Sequence, residues 1–220
     1  MEPATVAWHV SKIVCHLIAA GMFLMVSMLS MKIFSRDHQD GSVVLLVSRS
    51  VFRWQYVLGR ITGTWADCLV FMFILHLTVF LTVWVKTGTI ISGYLTASLI
   101  CSINLLFVIA CVCFLSLFMP DFISAFFTMG ILFVGFISDG GYQIINSDIV
   151  RSAVPSSADG GPAMWRVVYP KVFMLQAYAD AIISKSDFHN MGPFHPLLNL
   201  SLYIFLIRVL MLGYFNRKEI

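Results

Sequence analysis

The chain has 220 residues, of which 59% are hydrophobic and 11% are charged, with a mean hydropathy of +0.88 and a formal net charge of +3. Soluble domains carry about 25% charged residues, so this composition excludes a soluble globular protein. It predicts an all-α, polytopic membrane protein with a single transmembrane domain over residues 1–220. The small and scattered positive charge gives no indication of a nucleic-acid partner.

Five apolar runs are long enough to cross a bilayer, which takes about 20 residues in a helix. The predicted spans are 13–34, 61–85, 90–119, 122–138 and 197–214. Pro120 and Asp121 separate the third span from the fourth, because proline cannot continue the helical hydrogen-bond ladder. A bundle of about five transmembrane helices follows.

Residues 35–60 form the only sizeable charged, amphipathic segment, and they lie between the first two spans. Lys and Arg concentrate in this segment and in its flanks, and Arg217 and Lys218 lie near the C-terminus. Since cytoplasmic flanks carry the excess of Lys and Arg, the segment and the C-terminus are predicted to be cytoplasmic. With five spans, the N-terminus then lies outside.

Residues 139–194 are predicted to form an outer segment with many Gly and Pro turn signals. After Pro170, the run KVFMLQAYADAIIS has apolar residues at helical spacing, with Gln176 and Asp180 elsewhere on the wheel. At about 14 residues this helix is too short to span, so it is predicted to lie at, or dip into, the membrane interface.

Four polar residues fall inside the predicted spans and are candidates for intramembrane function: Asp67, His76, Asn104 and Arg208. Asp67 also suits a group near the interface that pairs with Arg60 or Arg53. A lone His or Asn on a membrane helix usually makes an interhelical hydrogen bond, which is the favoured role for His76 and Asn104. Arg208 is expected to snorkel to the interface or to pair within the bundle.

No catalytic, cofactor or metal site is predicted. The five cysteines all lie in apolar runs, where they usually act as small hydrophobic residues. His189, His195 and Asp187 are close in sequence, but their loop spacing is weak evidence for metal capture. No arrangement typical of an enzyme emerges, and no Walker A motif occurs, so this chain is not expected to hydrolyse ATP itself.

The run FSRDHQDGSVVLLVSRSVFRWQYVLGRITG, which begins at Phe34, resembles the coupling segment of ABC-2-type transporter permeases. In these permeases an acidic stretch precedes a Gly-Ser/Thr turn, a Ser/Thr-Arg pair, a second arginine, an aromatic residue and Leu-Gly-Arg/Lys. The residues in step with that pattern are Asp37, Asp40, Gly41, Ser42, Leu45, Leu46, Ser48, Arg49, Val51, Arg53, Tyr56, Leu58, Gly59 and Arg60. The resemblance covers about 30 residues, and the remaining likeness concerns the architecture only.

The resemblance implies a function: the membrane subunit of an ATP-binding cassette exporter, in a bacterial-type inner membrane. A separate ATPase subunit would bind ATP and Mg, and the chain would form a dimer or pair with a related permease. The implied ATPase interface comprises Asp37, Asp40, Gly41, Arg49, Val51, Phe52, Arg53, Trp54 and Tyr56. Arg and Trp are frequent interface hot spots.

Three departures accompany the resemblance. Ser50 stands where the family usually has proline, and Val44 where it often has Glu. The family has two spans before the coupling segment, whereas one is predicted here, so a further span from another chain is an open alternative. Two other functions also remain open: a permease component of haem or copper maturation, and a non-transporting scaffold that docks a cytoplasmic ATPase.

Overall fold

The computed structural model describes residues 3–31, 33, 53–145, 169–186, 188 and 194–217. Within them the chain forms six helices: α1 (Pro3–Ser30), α2 (Arg53–Thr87), α3 (Gly93–Leu115), α4 (Asp121–Ile145), α5 (Val172–Ser184) and α6 (Pro196–Arg217). All except α5 are long and apolar enough to cross a membrane. This confirms the predicted all-helical class with five spans.

The helices and the predicted spans differ mainly at their ends. α1 begins at Pro3 rather than at residue 13, and α2 begins at Arg53 rather than at residue 61. Polar residues such as Gln55 and Arg60 continue a helix well, so hydropathy locates the apolar part of a helix and not its start. α4 continues through Gly140 to Ile145, because a glycine inside a helix costs only about 1 kcal/mol and need not end it.

Helix α3 is the centre of the bundle and packs against each of the other five described helices. In its most apolar window 61% of the residues are buried, against 22% to 33% in the other four spans. Ala97, Ser98 and Ala110 are fully buried on this helix. Small residues of this kind let helix backbones approach closely within a membrane.

The spans alternate in direction, which places two groups of helix ends at opposite ends of the bundle. At one end Tyr214 of α6 donates to the carbonyl of Leu117, just beyond α3, at 3.4 Å. Nearer the opposite end, Cys15 of α1 lies in a buried cluster with Val83 of α2 and Ile183 of α5. The second group is called the α5 end, where α1 and α3 begin and α2 ends.

Helix α5 is packed among the other helices of the bundle. Every one of its residues is at least partly buried, and Gln176 retains only 1% exposure. α5 packs among α1, α3, α4 and α6. Gly93 of α3 allows the closest approach, since a Cβ there would lie 2.6 Å from the carbonyl oxygen of Ile182. Gln176 therefore faces other helices.

Candidate functional site

Most of the predicted ATPase interface lies outside the described residues. This applies to Asp37, Asp40, Gly41, Arg49, Val51 and Phe52. Arg53 begins α2, and the Trp54 side chain is 47% exposed. The Trp54 side chain is therefore displayed at the helix surface. Tyr56 packs against the buried hydrophobic core.

The four intramembrane candidates are spread over the bundle and do not converge. Asp67 is exposed on α2 and makes no ion pair with any described residue. Asn104 donates from Nδ2 to the carbonyl of Val172 at 3.3 Å, which ties α3 to α5. Arg208 is partly buried on α6, and its Nε has no hydrogen-bond partner among the described residues.

His76 occupies a different kind of place, because it belongs to a buried polar cluster at the α5 end. Its Nδ1 lies 3.0 Å from the hydroxyl of Tyr94, and the two rings meet edge to face. Both side chains are at most 2% exposed. This hydrogen bond joins α2 to α3, as expected for a polar pair between membrane helices.

Two buried thiols lie beside this pair. Cys15 of α1 and Cys101 of α3 hydrogen-bond to one another and are close enough to Tyr94 to act on it electrostatically. The carboxamide of Gln176 holds both: Cys101 Sγ donates to Oε1 at 3.3 Å, and Nε2 donates to Cys15 Sγ at 3.6 Å. Gln176 therefore links α5 to α1 and α3.

Asp180 lies one turn beyond Gln176 on α5 and extends the cluster to the surface of α1. Its Oδ2 is 3.3 Å from Nε2 of His16, and Lys12 is near enough to interact with its charge. Burial raises the pKa of the Asp180 carboxyl, and His16 and Lys12 counter part of that rise. Its Oδ1 is buried and has no hydrogen-bond partner among the described residues.

An apolar groove between α1 and α4 opens next to this cluster. It has a volume of about 260 Å³. Its lining side chains are His16, Ala19, Ala20, Phe23 and Leu24 of α1, Met129, Leu132, Phe133 and Phe136 of α4, and Gln176 of α5. His16 and Gln176 are the polar members of this set. The walls of the groove are therefore apolar, and His16 and Gln176 contribute its polar atoms.

A second set of polar contacts fixes the start of α5. The backbone N–H of Lys171 donates to Asn199 Oδ1 of α6 at 3.1 Å, and the hydroxyl of Tyr169 donates to the carbonyl of Ile131 on α4. Burial lowers the pKa of the Lys171 ammonium, and the carboxylate of Asp139 opposes that shift. These contacts hold the start of α5 in place and so help to position Gln176 against the two thiols.

Of the two histidines weighed for metal capture, His195 lies in the part of the chain that the structure describes. His195 packs edge to face against Tyr178, with ring centres 5.0 Å apart. Asp187 and His189 lie outside the described residues. In the part of the chain that the structure describes, no group of three or more His, Cys, Asp or Glu side chains is placed to hold a metal ion.

Sequence reasoning missed His16, Cys15, Cys101 and Tyr94, and it placed Gln176 away from the apolar face of an interfacial helix. Lys12 and His16 are spaced i, i+4 on the first helix, a pattern that puts both on one face. That spacing could have indicated a polar face on the first helix. It could not have indicated Asp180 as the partner, because Asp180 is distant in sequence.

No family model matches the chain, and no curated protein or solved structure matches it either. The fold and the site define a five-span helical membrane protein with a buried polar cluster beside an apolar groove.

Proposed function

We propose that this chain is the membrane-spanning permease subunit of an ABC-2-type exporter, driven by a separate ATPase subunit. The proposal is supported by the resemblance of the segment that begins at Phe34. One structural observation carries it further: α2 runs without interruption from Arg53, inside that segment, to Thr87. At 1.5 Å per residue its 35 residues extend about 52 Å, well beyond a hydrocarbon core of about 30 Å.

A helix of this length suits the transmission of a movement from the membrane surface into the bundle. If the ATPase docks on the segment before α2, its closure displaces the start of a continuous helix, which then moves as a rigid body. α2 packs along α3, where Trp65 Nε1 donates to the carbonyl of Ser102 at 3.0 Å. Because α3 contacts all the other described helices, displacement of α2 reaches the whole bundle.

Copurification tests the proposal. The full chain, isolated from its native membrane, is expected to bring an ATPase with it, identified by mass spectrometry. Charge reversal at both Arg49 and Arg53, each to Glu, is expected to release that ATPase, because it removes cationic anchors from the docking surface. Lys86→Glu, at the other end of α2, is the matched control and is expected to retain it. Retention of the ATPase by the double reversal would refute the coupling surface.

Reconstitution separates a transporter from a scaffold. In liposomes that contain the chain and its ATPase, a coupled permease is expected to change the rate of ATP hydrolysis relative to the ATPase alone. An ATPase that binds but hydrolyses at an unchanged rate would point to docking without transport. Mass spectrometry of the same preparation also shows whether another chain contributes a further span.

A further inference from the structure

Two cysteines from different helices meet at the α5 end of the bundle. The structure describes all five cysteines as free thiols. Cys15 of α1 and Cys101 of α3 are hydrogen-bonded to one another and belong to the same buried cluster. Cys68, Cys111 and Cys113 belong to the other buried cluster. Cys111 and Cys113 are two positions apart on α3, so their side chains do not face each other.

The helices that carry the pair approach one another closely. Ala7 of α1, Ala97 of α3 and Ala179 of α5 share the buried cluster of the two thiols, and each is at most 1% exposed. Small side chains of this kind let the backbones of membrane helices come near each other. A disulfide requires two Cα atoms about 4.4–6.8 Å apart, a separation that closely packed helices provide. We therefore expect side-chain rotation to bring the two sulfurs within bonding distance.

The carboxamide of Gln176 on α5 depends on the reduced state of this pair. Cys101 Sγ donates to its Oε1 at 3.3 Å, and its Nε2 donates to Cys15 Sγ at 3.6 Å. A disulfide has no S–H group, so Oε1 would lose this donor while the side chain stays buried. A buried polar atom that loses its partner is costly. Oxidation of the pair is therefore expected to weaken the hold of α1 and α3 on α5.

The position of the pair suits oxidation. Gln176 lines the groove between α1 and α4 and also contacts both sulfurs, so one side chain separates the thiols from the groove. The distribution of Lys and Arg predicts that residues 139–194, which include α5, lie outside the membrane. Disulfides form and persist in compartments outside the cytosol.

We propose that Cys15 and Cys101 are a site of reversible disulfide formation that controls how tightly α5 is held. The oxidant is a small, uncharged disulfide. One cysteine sulfur attacks a sulfur of the oxidant, whose S–S bond breaks, and the first departing thiol takes up the cysteine proton. The second cysteine attacks the mixed disulfide, the Cys15–Cys101 bond forms, and a second thiol departs with the second proton. Two cysteines are oxidised and one disulfide is reduced to two thiols. This inference does not depend on the proposed transport function.

Oxidation of the folded full chain in phosphatidylcholine liposomes tests the site. The reagent is dithiodipyridine, and the digested protein is analysed by mass spectrometry without a reductant. A peptide containing Cys15 is expected to be linked to one containing Cys101, and dithiothreitol is expected to restore both thiols. Cys101→Ser is expected to abolish the link. Cys111→Ser removes another buried thiol of α3 and is the matched control, expected to retain the link.

Hydrogen exchange measures the consequence for α5. Oxidation is expected to speed amide exchange in Val172–Ser184 about tenfold, the effect of losing one buried hydrogen bond. Gln176→Leu removes the carboxamide and keeps a side chain of similar size. The oxidised and reduced forms of this variant are therefore expected to exchange at the same rate in α5. That result separates the loss of the Gln176 contact from a general effect of joining α1 to α3.

Three results would overturn the inference. One is that Cys15 and Cys101 both stay free in the folded chain, which would show that the oxidant does not reach them. The second is a mixed disulfide that persists on either cysteine, or a link from either one to another cysteine, which would place the two sulfurs too far apart. The third is equal exchange of α5 in the oxidised and reduced forms of the original protein, which would show that Gln176 does not respond to the pair.

Discussion

Replacement of Gly93 by alanine tests the packing that positions α5 and, through it, the polar cluster. An added Cβ would lie 2.6 Å from the carbonyl oxygen of Ile182 and 3.1 Å from its Cγ2. The first obstacle is backbone, which cannot rotate away. Ordinary contact begins at 3.4 Å, so α3 and α5 have to separate locally by about 0.8 Å.

Two opposing contributions set the change in the free energy of unfolding. Overpacking of a well-filled interior typically costs about 1–3 kcal/mol. Because Gly93 is the first residue of α3, alanine recovers only part of the roughly 1 kcal/mol by which it exceeds glycine inside a helix. We therefore expect Gly93→Ala to lower the free energy of unfolding by about 1–2 kcal/mol. A retreat of α5 also moves Gln176 away from Cys101, whose hydrogen bond is already 3.3 Å long.

Thermal unfolding followed by tryptophan fluorescence in detergent measures this effect. A chain of this length shifts its Tm by roughly 2–4 °C for each kcal/mol. Gly213→Ala is the control, because a Cβ at this α6 glycine meets nothing within 4 Å and the substitution improves helix propensity. If Gly93→Ala proved as stable as Gly213→Ala, the close approach of α3 and α5 would be wrong.

Two further predictions concern the polar cluster itself. Because the pKa of Asp180 is raised in the folded protein, ionisation of this carboxyl lowers the free energy of unfolding as the pH rises above 3.8. Asn cannot ionise, so we expect Asp180→Asn to be more stable than the original protein at neutral pH. The difference should shrink as the pH falls toward 3.8. Unfolding temperatures of both proteins across pH check this, and a difference independent of pH would contradict it. Tyr94→Phe removes the partner of His76 and is expected to cost about 1 kcal/mol. A double-mutant cycle with His76→Leu measures the coupling energy between the two side chains. A coupling energy of zero would show that they do not interact.

How far sequence reasoning reached is clearest at α5. The apolar spacing after Pro170 correctly indicated a helix too short to span, and the structure gives Val172–Ser184. Its burial among other helices was not predictable, because an amphipathic pattern looks the same whether its polar face meets water or other helices. Gln176 is polar by type, yet it is fully buried between two thiols. His16 drew no notice, since its partner Asp180 lies far along the chain.

The sequence by itself determined the class of this protein. Hydropathy and length are local properties, and a bilayer demands about 20 apolar residues for each span, so five helices could be counted without any contact between them. Only the tertiary structure decided which polar groups meet. Gln176 and Cys15 are 161 positions apart, and a groove between α1 and α4 exists only once both helices are packed. Such contacts depend on helix rotation and depth, which no local pattern encodes.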